Sequence, residues 1–230
     1  SIRDLFVRGG ALDVLGGKRR AVLEVLRHAG DPPRLTVILP STQEWSPWDS
    51  SVPNDLYGNL VAMQGRPGGL ERFAEQAITA ELSRLPAAER ARAEIQLVGF
   101  SQGGLAAAAL ASRGTLPVTR VITAGAPIGV IAESLPEEVR VLAYEAPDDP
   151  VPKLDGRANP EIPQVVTVSP GLRETIGRGG PTGPGDGAHS PLRYAALAET
   201  SALPEEIRTG VLRDLADVTG SRRYTAEWVR

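Results

Sequence analysis

Residues 94–104, Glu-Ile-Gln-Leu-Val-Gly-Phe-Ser-Gln-Gly-Gly, carry the most chemically telling spacing in the chain. A short apolar run (Ile95, Leu97, Val98) leads into Gly99-Phe100-Ser101-Gln102-Gly103, and an Ala/Leu-rich segment of helical character follows at once. G-x-S-x-G between a strand and a helix is the setting of a nucleophile elbow, a turn so sharp that side chains at 99 and 103 would collide with the neighbouring strand or helix. Ser101 Oγ is then left at the tip of the turn. Its backbone sits at a helix N-terminus, where N–H groups favour developing negative charge. Without that setting the same residues make only a glycine-rich turn with an ordinary serine, so the flanking strand and helix carry the inference.

A serine hydroxyl is a poor nucleophile at neutral pH and needs a base, which in turn needs a partner to orient it. The choice of base is narrow, because the chain has two histidines, His28 and His189, and no cysteine. His28 falls in 18–30, which reads as a solvated helix before the first strand. His189 follows a loop of Gly, Pro and Asp and opens His-Ser-Pro-Leu-Arg-Tyr, with Ser190 as an N-cap and Pro191 as the first helical residue. If Ser101 is a nucleophile, His189 is its base almost by elimination.

Three further strands are expected after Ser101, at Val118–Ala124, Val139–Tyr144 and Gln164–Val168, each short, apolar or β-branched, and bounded by Pro or Gly. Helical or loop segments between them predict a parallel sheet with crossovers. The acid of a Ser, Asp/Glu, His chain order should lie between Ser101 and His189. Glu-Ala-Pro-Asp-Asp-Pro-Val-Pro, 145–152, leaves the second of these strands and offers Glu145, Asp148 and Asp149. Asp149 is the first choice and Asp148 the second. A turn rich in Asp and Pro would account for the composition but not for its position.

The nucleophile after one strand, the acid after the strand two further on and the histidine after the last resemble the α/β-hydrolase arrangement. Gly-Phe-Ser-Gln-Gly-Gly, Asp-Asp-Pro-Val-Pro and the late His189 look like a serine esterase or lipase of that superfamily, nearest its small cutinase-like branch. Two further runs resemble a group of uncharacterised actinobacterial hydrolases: Pro40-Ser41-Thr42-Gln43-Glu44-Trp45, and the acid loop from Asp149-Pro150-Val151-Pro152 through Leu154-Asp155-Gly156-Arg157-Ala158-Asn159-Pro160. The resemblance covers about 34–200. Ser41 stands where that first loop would have glycine.

The resemblance implies an α/β-hydrolase fold: a central, mostly parallel sheet with helices on both faces, a three-layer sandwich. Residues 1–33, with one helix and no clear strand, read as an N-terminal helical extension or the stub of something larger, and 34–230 as the catalytic domain of a chain that is a single domain overall. The activity implied is cleavage of small-molecule or lipid-like acyl esters, with acyl transfer or thioester cleavage, or a non-catalytic binding protein on the same fold, as alternatives. The oxyanion donors expected are the N–H of Gln102, as at other elbows, and Thr42 in the loop after the strand Leu35–Leu39, with Ser41 as the alternative. Trp45, Trp48 and Tyr57, with Leu56, Leu60 and Met63, form an apolar group after that loop which can line an acyl site or pack inside the protein.

The remaining properties bound the function. A 230-residue chain with 41 % hydrophobic residues can bury a full core as one domain. The net charge of −3 and scattered Lys and Arg give no pull toward nucleic acid. No apolar run approaches the ~20 residues of a membrane helix. Zero cysteine removes disulfides, zinc–thiolate sites and thiol catalysis. No His/Asp/Glu spacing resembles a metal-ligand set, and no organic cofactor is implied. The chain begins at Ser1 without a signal-peptide core, which fits a removed leader, an excised domain or a trimmed tag equally, and a soluble protein, either cytoplasmic or secreted after leader removal, is expected. Leu70–Leu85 and Glu205–Val218 read as amphipathic helices ended near Pro86 and Gly220. Asn59–Met63 is a weak strand candidate, and Gly-rich 177–188 reads as a connector or as a loop that moves His189.

Overall fold

The computed structural model describes residues 1–17, 20–41, 68–169 and 187–227. Short apolar runs bounded by turn residues form five parallel strands: β2 (Arg34–Leu39), β3 (Glu94–Phe100), β4 (Val118–Ala124), β5 (Arg140–Tyr144) and β6 (Val165–Val168). β1 (Ala21–His28) pairs antiparallel with β2, and β7 (Val218–Ala226) pairs antiparallel with β1. The seven-stranded sheet runs β6-β5-β4-β3-β2-β1-β7.

The register explains the apolar content of the inner strands. Val37, Leu97, Val121, Val141 and Val165 lie side by side across β2 to β6, and one residue further on Ile38, Val98, Ile122 and Leu142 form a second row. Successive residues of a strand face opposite ways, so the two rows belong to opposite faces. Both faces are covered, and both rows are therefore apolar. The first row packs under α2 (Gly69–Leu82), α4 (Gln102–Ser112) and the short α5 (Gly129–Ala132). Between α2 and α4 lies a short helix, α3 (Ala87–Arg90). The second row packs under α1 (Ile2–Gly16), α6 (Pro191–Thr200) and α7 (Glu205–Leu215).

Topology accounts for this division. Strands β2 to β6 are added one after another in the same direction, and right-handed crossovers made in one direction place their helices on one face. The opposite face must then be covered by chain from outside the parallel run. Helix α1 does so before β1, and α6 and α7 do so on the way from β6 at one edge to β7 at the other.

Two regions differ from the sequence expectation, and the first, 1–33, expected as a helical extension, supplies both α1 over one face of the sheet and β1 within it. The stretch 18–30, expected as a helix, contains β1, which lies between β2 and β7 inside the sheet. Its residues are buried on both faces, so the alternation that marks a half-exposed strand is missing. His28 is consequently a buried residue of a strand: its Nδ1 lies 2.9 Å from the Ala216 carbonyl and its Nε2 2.8 Å from Thr36 Oγ1. The second difference is at the C-terminal end, where α7 stops at Leu215 and the chain returns as β7. This edge strand is mostly exposed and carries Arg222 and Arg223, charges that discourage further strand pairing. A buried carboxylate ties it in, since Glu81 of α2 receives Arg27 of β1 together with Arg222 and Tyr224 of β7.

Candidate active site

Strand β3 ends at Phe100 and α4 begins at Gln102, which leaves Ser101 alone to make the turn. It does so with φ 54° and ψ −124°, a left-handed backbone that a non-glycine residue adopts only under constraint, at about 1–3 kcal/mol. The constraint is visible on both sides. Ser101 N–H donates to the Ala124 carbonyl at the end of β4 (2.9 Å), and the Ser101 carbonyl accepts from Gly104 and Leu105 N–H (3.0 and 3.1 Å). A Cβ at Gly99 would lie 2.1 Å from Gly103 carbon, and one at Gly103 would lie 2.6 Å from the Pro40 carbonyl oxygen. The two glycines let the helix start fold over its own strand and meet the end of β2.

Three side chains from separate segments meet at this turn. His189 Nε2 lies 2.8 Å from Ser101 Oγ, and His189 Nδ1 lies 2.7 Å from Asp149 Oδ2. An ionised carboxylate only accepts, so Nδ1 carries the proton and donates it to Asp149. Nε2 is then left with its lone pair facing the serine O–H, the arrangement a general base requires. His189 precedes α6, whose first residue is Pro191. The Phe100 ring lies against the imidazole, with centroids 4.4 Å apart and planes 31° from parallel.

Asp149 leaves β5 on the acid loop and is fully buried. Burial alone would raise its pKa. Hydrogen bonds from His189, from the Tyr194 hydroxyl (2.7 Å to Oδ2) and from Val151 N–H (3.0 Å to Oδ1) outweigh that effect and hold the carboxyl below its ordinary value. The other two candidate acids face elsewhere. Asp148 is exposed at the surface and takes Arg193 Nη2 at 2.6 Å, while Glu145 Oε1 accepts Asn159 Nδ2 at 2.6 Å. Asp155 fixes the far side of the loop, accepting Val130 N–H at the start of α5 (3.0 Å) and Arg157 N–H (3.2 Å).

Among the candidate oxyanion donors, Gln102 is the first residue of α4, buried, with its N–H at the helix N-terminus beside Ser101. Ser41, the alternative donor, gives its N–H to Asp13 Oδ1 (2.8 Å) and its hydroxyl to Asp13 Oδ2 (2.7 Å), an attachment of α1 to the loop after β2. Its N–H is therefore directed at the Asp13 carboxylate. Thr42, Trp45, Trp48 and Tyr57 lie outside the described residues, as do Asn59–Met63 and most of 177–188. Among the described residues, no group of three or more His, Cys, Asp or Glu side chains is placed to hold a metal ion.

Two residues of this site escaped the sequence reading. Tyr194 lies on α6, fully buried, and offered no signal beyond its aromatic character. Gly125 follows β4 with φ 58°, and a Cβ there would lie 3.1 Å from both Asp149 Oδ2 and His189 Cε1 and 2.9 Å from Tyr194 Cε2. Its signal was available: a glycine at the end of a central strand beside the elbow strand marks a close approach. No family model matches the chain, and no curated protein matches its sequence. Among the described residues, no helix is long and apolar enough to cross a membrane.

Proposed function

We propose that this protein is a serine hydrolase of the α/β-hydrolase type, close to the cutinase-like branch, that cleaves carboxylic esters through an acyl-enzyme on Ser101. The observation that carries this reading is the continuous chain Ser101 Oγ–His189 Nε2 (2.8 Å) and His189 Nδ1–Asp149 Oδ2 (2.7 Å), with the serine on a strained strand-to-helix turn. A serine placed there for packing alone would not require a left-handed backbone and two close-approach glycines.

In the proposed reaction Ser101 Oγ attacks the acyl carbon while its proton passes to His189 Nε2. The imidazolium so formed is stabilised by the buried Asp149 carboxylate. When the tetrahedral adduct collapses, the bond from carbon to the alcohol oxygen breaks and His189 returns the proton to that oxygen. Water then repeats the sequence on the acyl-enzyme and frees the acid and Ser101. Negative charge on the acyl oxygen is met by the Gln102 N–H at the start of α4 and by Thr42, the donor that the family resemblance implies.

Hydrolysis of p-nitrophenyl esters of increasing chain length tests the reading. Wild-type protein turns them over, whereas Ser101→Ala and His189→Ala each lose nearly all activity with the fold retained. The double variant is little worse than either, because the members act as a unit. Undiminished hydrolysis by Ser101→Ala would refute the proposal.

A further inference from the structure

The structure assigns Tyr194 as a positioning residue that fixes the Asp149 carboxylate and limits how strongly it attracts the proton on His189. This inference rests on the triad reading above and adds to it a fourth group, supplied by the helix that follows the histidine.

The polarity of the hydroxyl is settled by its two partners. Ala146 N–H, which can only donate, lies 3.1 Å from the Tyr194 oxygen. The tyrosine therefore accepts there and must give its own proton to Asp149 Oδ2, at 2.7 Å. Oδ2 is the same oxygen that receives His189 Nδ1. One carboxylate oxygen thus serves two donors, both on the segment 189–194, and the second is anchored to the backbone at the start of the acid loop. Burial keeps the Tyr194 hydroxyl protonated, its pKa being pushed far upward. Its ring is packed against Phe100, with centroids 5.7 Å apart, and Phe100 in turn lies against the His189 imidazole. Glu145 stands at the end of β5 and is occupied by Asn159, and Asp148 and Arg193 are paired with each other at the surface.

A hydroxyl that donates to Oδ2 withdraws charge from it. Tyr194→Phe keeps the ring and removes the donor, so the carboxylate becomes both less constrained and more basic. Loss of a hydrogen bond to a charged group converts to a fall in kcat of roughly 10- to 100-fold, with KM little changed because no substrate contact is lost. The tighter hold of the carboxylate on the Nδ1 proton is read as an upward move of the acid limb of kcat/KM. The far-downfield proton resonance of the His189 Nδ1–H bond to Asp149, which is read without any substrate, should move further downfield. Leu197→Ala, which removes buried packing from the same helix, provides the control. It lowers stability but leaves limb and resonance in place.

The experiment combines ester-hydrolysis pH profiles with proton NMR for wild type, Tyr194→Phe and Leu197→Ala. Site-specific 3-fluorotyrosine at 194, a stronger donor in the same volume, shifts limb and resonance the opposite way and remains decisive if Tyr194→Phe does not fold. An unmoved limb and resonance in Tyr194→Phe, or the same displacement in Leu197→Ala, would overturn the assignment. Absence of wild-type ester hydrolysis with the resonance shifting as stated would remove the esterase reading and leave the role of Tyr194 standing.

Discussion

Asp148 and Asp149 are adjacent in the chain and identical in chemistry, yet the backbone sends them to opposite environments. Asp149 is fully buried against His189, Tyr194 and Val151 N–H, whereas Asp148 meets Arg193 at the surface. Asp149→Asn should reduce turnover on the ~10⁴ scale known for a neutralised triad acid, because an amide can present its N–H to Nδ1 and select the wrong tautomer. Asp148→Asn should cost less than about tenfold, since it removes only an exposed ion pair. Steady-state hydrolysis by the two variants decides the matter, and the reverse order would make Asp148 the acid. The acid could be narrowed to this pair from sequence by chain order and the flanking prolines. Tyr194 could not, since nothing in Arg-Tyr-Ala-Ala reveals that the hydroxyl turns back to meet a loop some 45 residues earlier.

At the scale of elements, the site depends on how closely strand ends can approach one another. Gly125 at the end of β4 has φ 58°, and a methyl group there would press on Asp149, His189 and Tyr194 together. Gly114 has a similar φ of 62° with nothing within 4 Å of its would-be Cβ. Gly114→Ala and Gly125→Ala should therefore share a backbone penalty of about 1 kcal/mol or somewhat more. Only Gly125→Ala should lose most of its ester hydrolysis. Thermal melts paired with activity assays check this, and equal activity in both variants would mean that the contact at 125 does not matter. Strands β2 to β6 were legible because each is a short apolar run between turn residues. β1 was not, because Ala-Val-Leu-Glu-Val-Leu-Arg-His has charged residues whose partners, such as Arg8 on Glu24 at 3.0 Å, come from elsewhere in the chain. β7 was hidden for the opposite reason: Thr-Gly-Ser-Arg-Arg-Tyr-Thr has almost no apolar content, as suits an exposed edge.

Over the whole molecule, α1 braces the site from behind. Its Asp13 holds Ser41 at the loop after β2, and its Gly10 lies so near Pro191 that a Cβ would stand 3.3 Å from the proline ring at the start of α6. The same face encloses His28, between Ala216 and Thr36. Burial is the main cause that lowers the pKa of His28 below 6.5. The unfolded chain therefore binds a proton that the folded one resists, and stability from this group is present above the unfolded value and lost as pH falls below about 6.5 toward the folded one. Melting temperature should drop between pH 7.5 and pH 5, and part of that drop should vanish in His28→Gln. An unchanged pH dependence in the variant would show that His28 is not its source.

Whether Ser101 is an activated nucleophile is decided by exposing the protein to an alkyl fluorophosphonate and locating the adduct by peptide mass spectrometry. One covalent adduct is expected on the peptide containing Ser101 in the wild type, and none at that position in His189→Ala under the same conditions. A wild-type protein that stays unlabelled at Ser101, or that is labelled there equally well without His189, would rule out an activated nucleophile at this position.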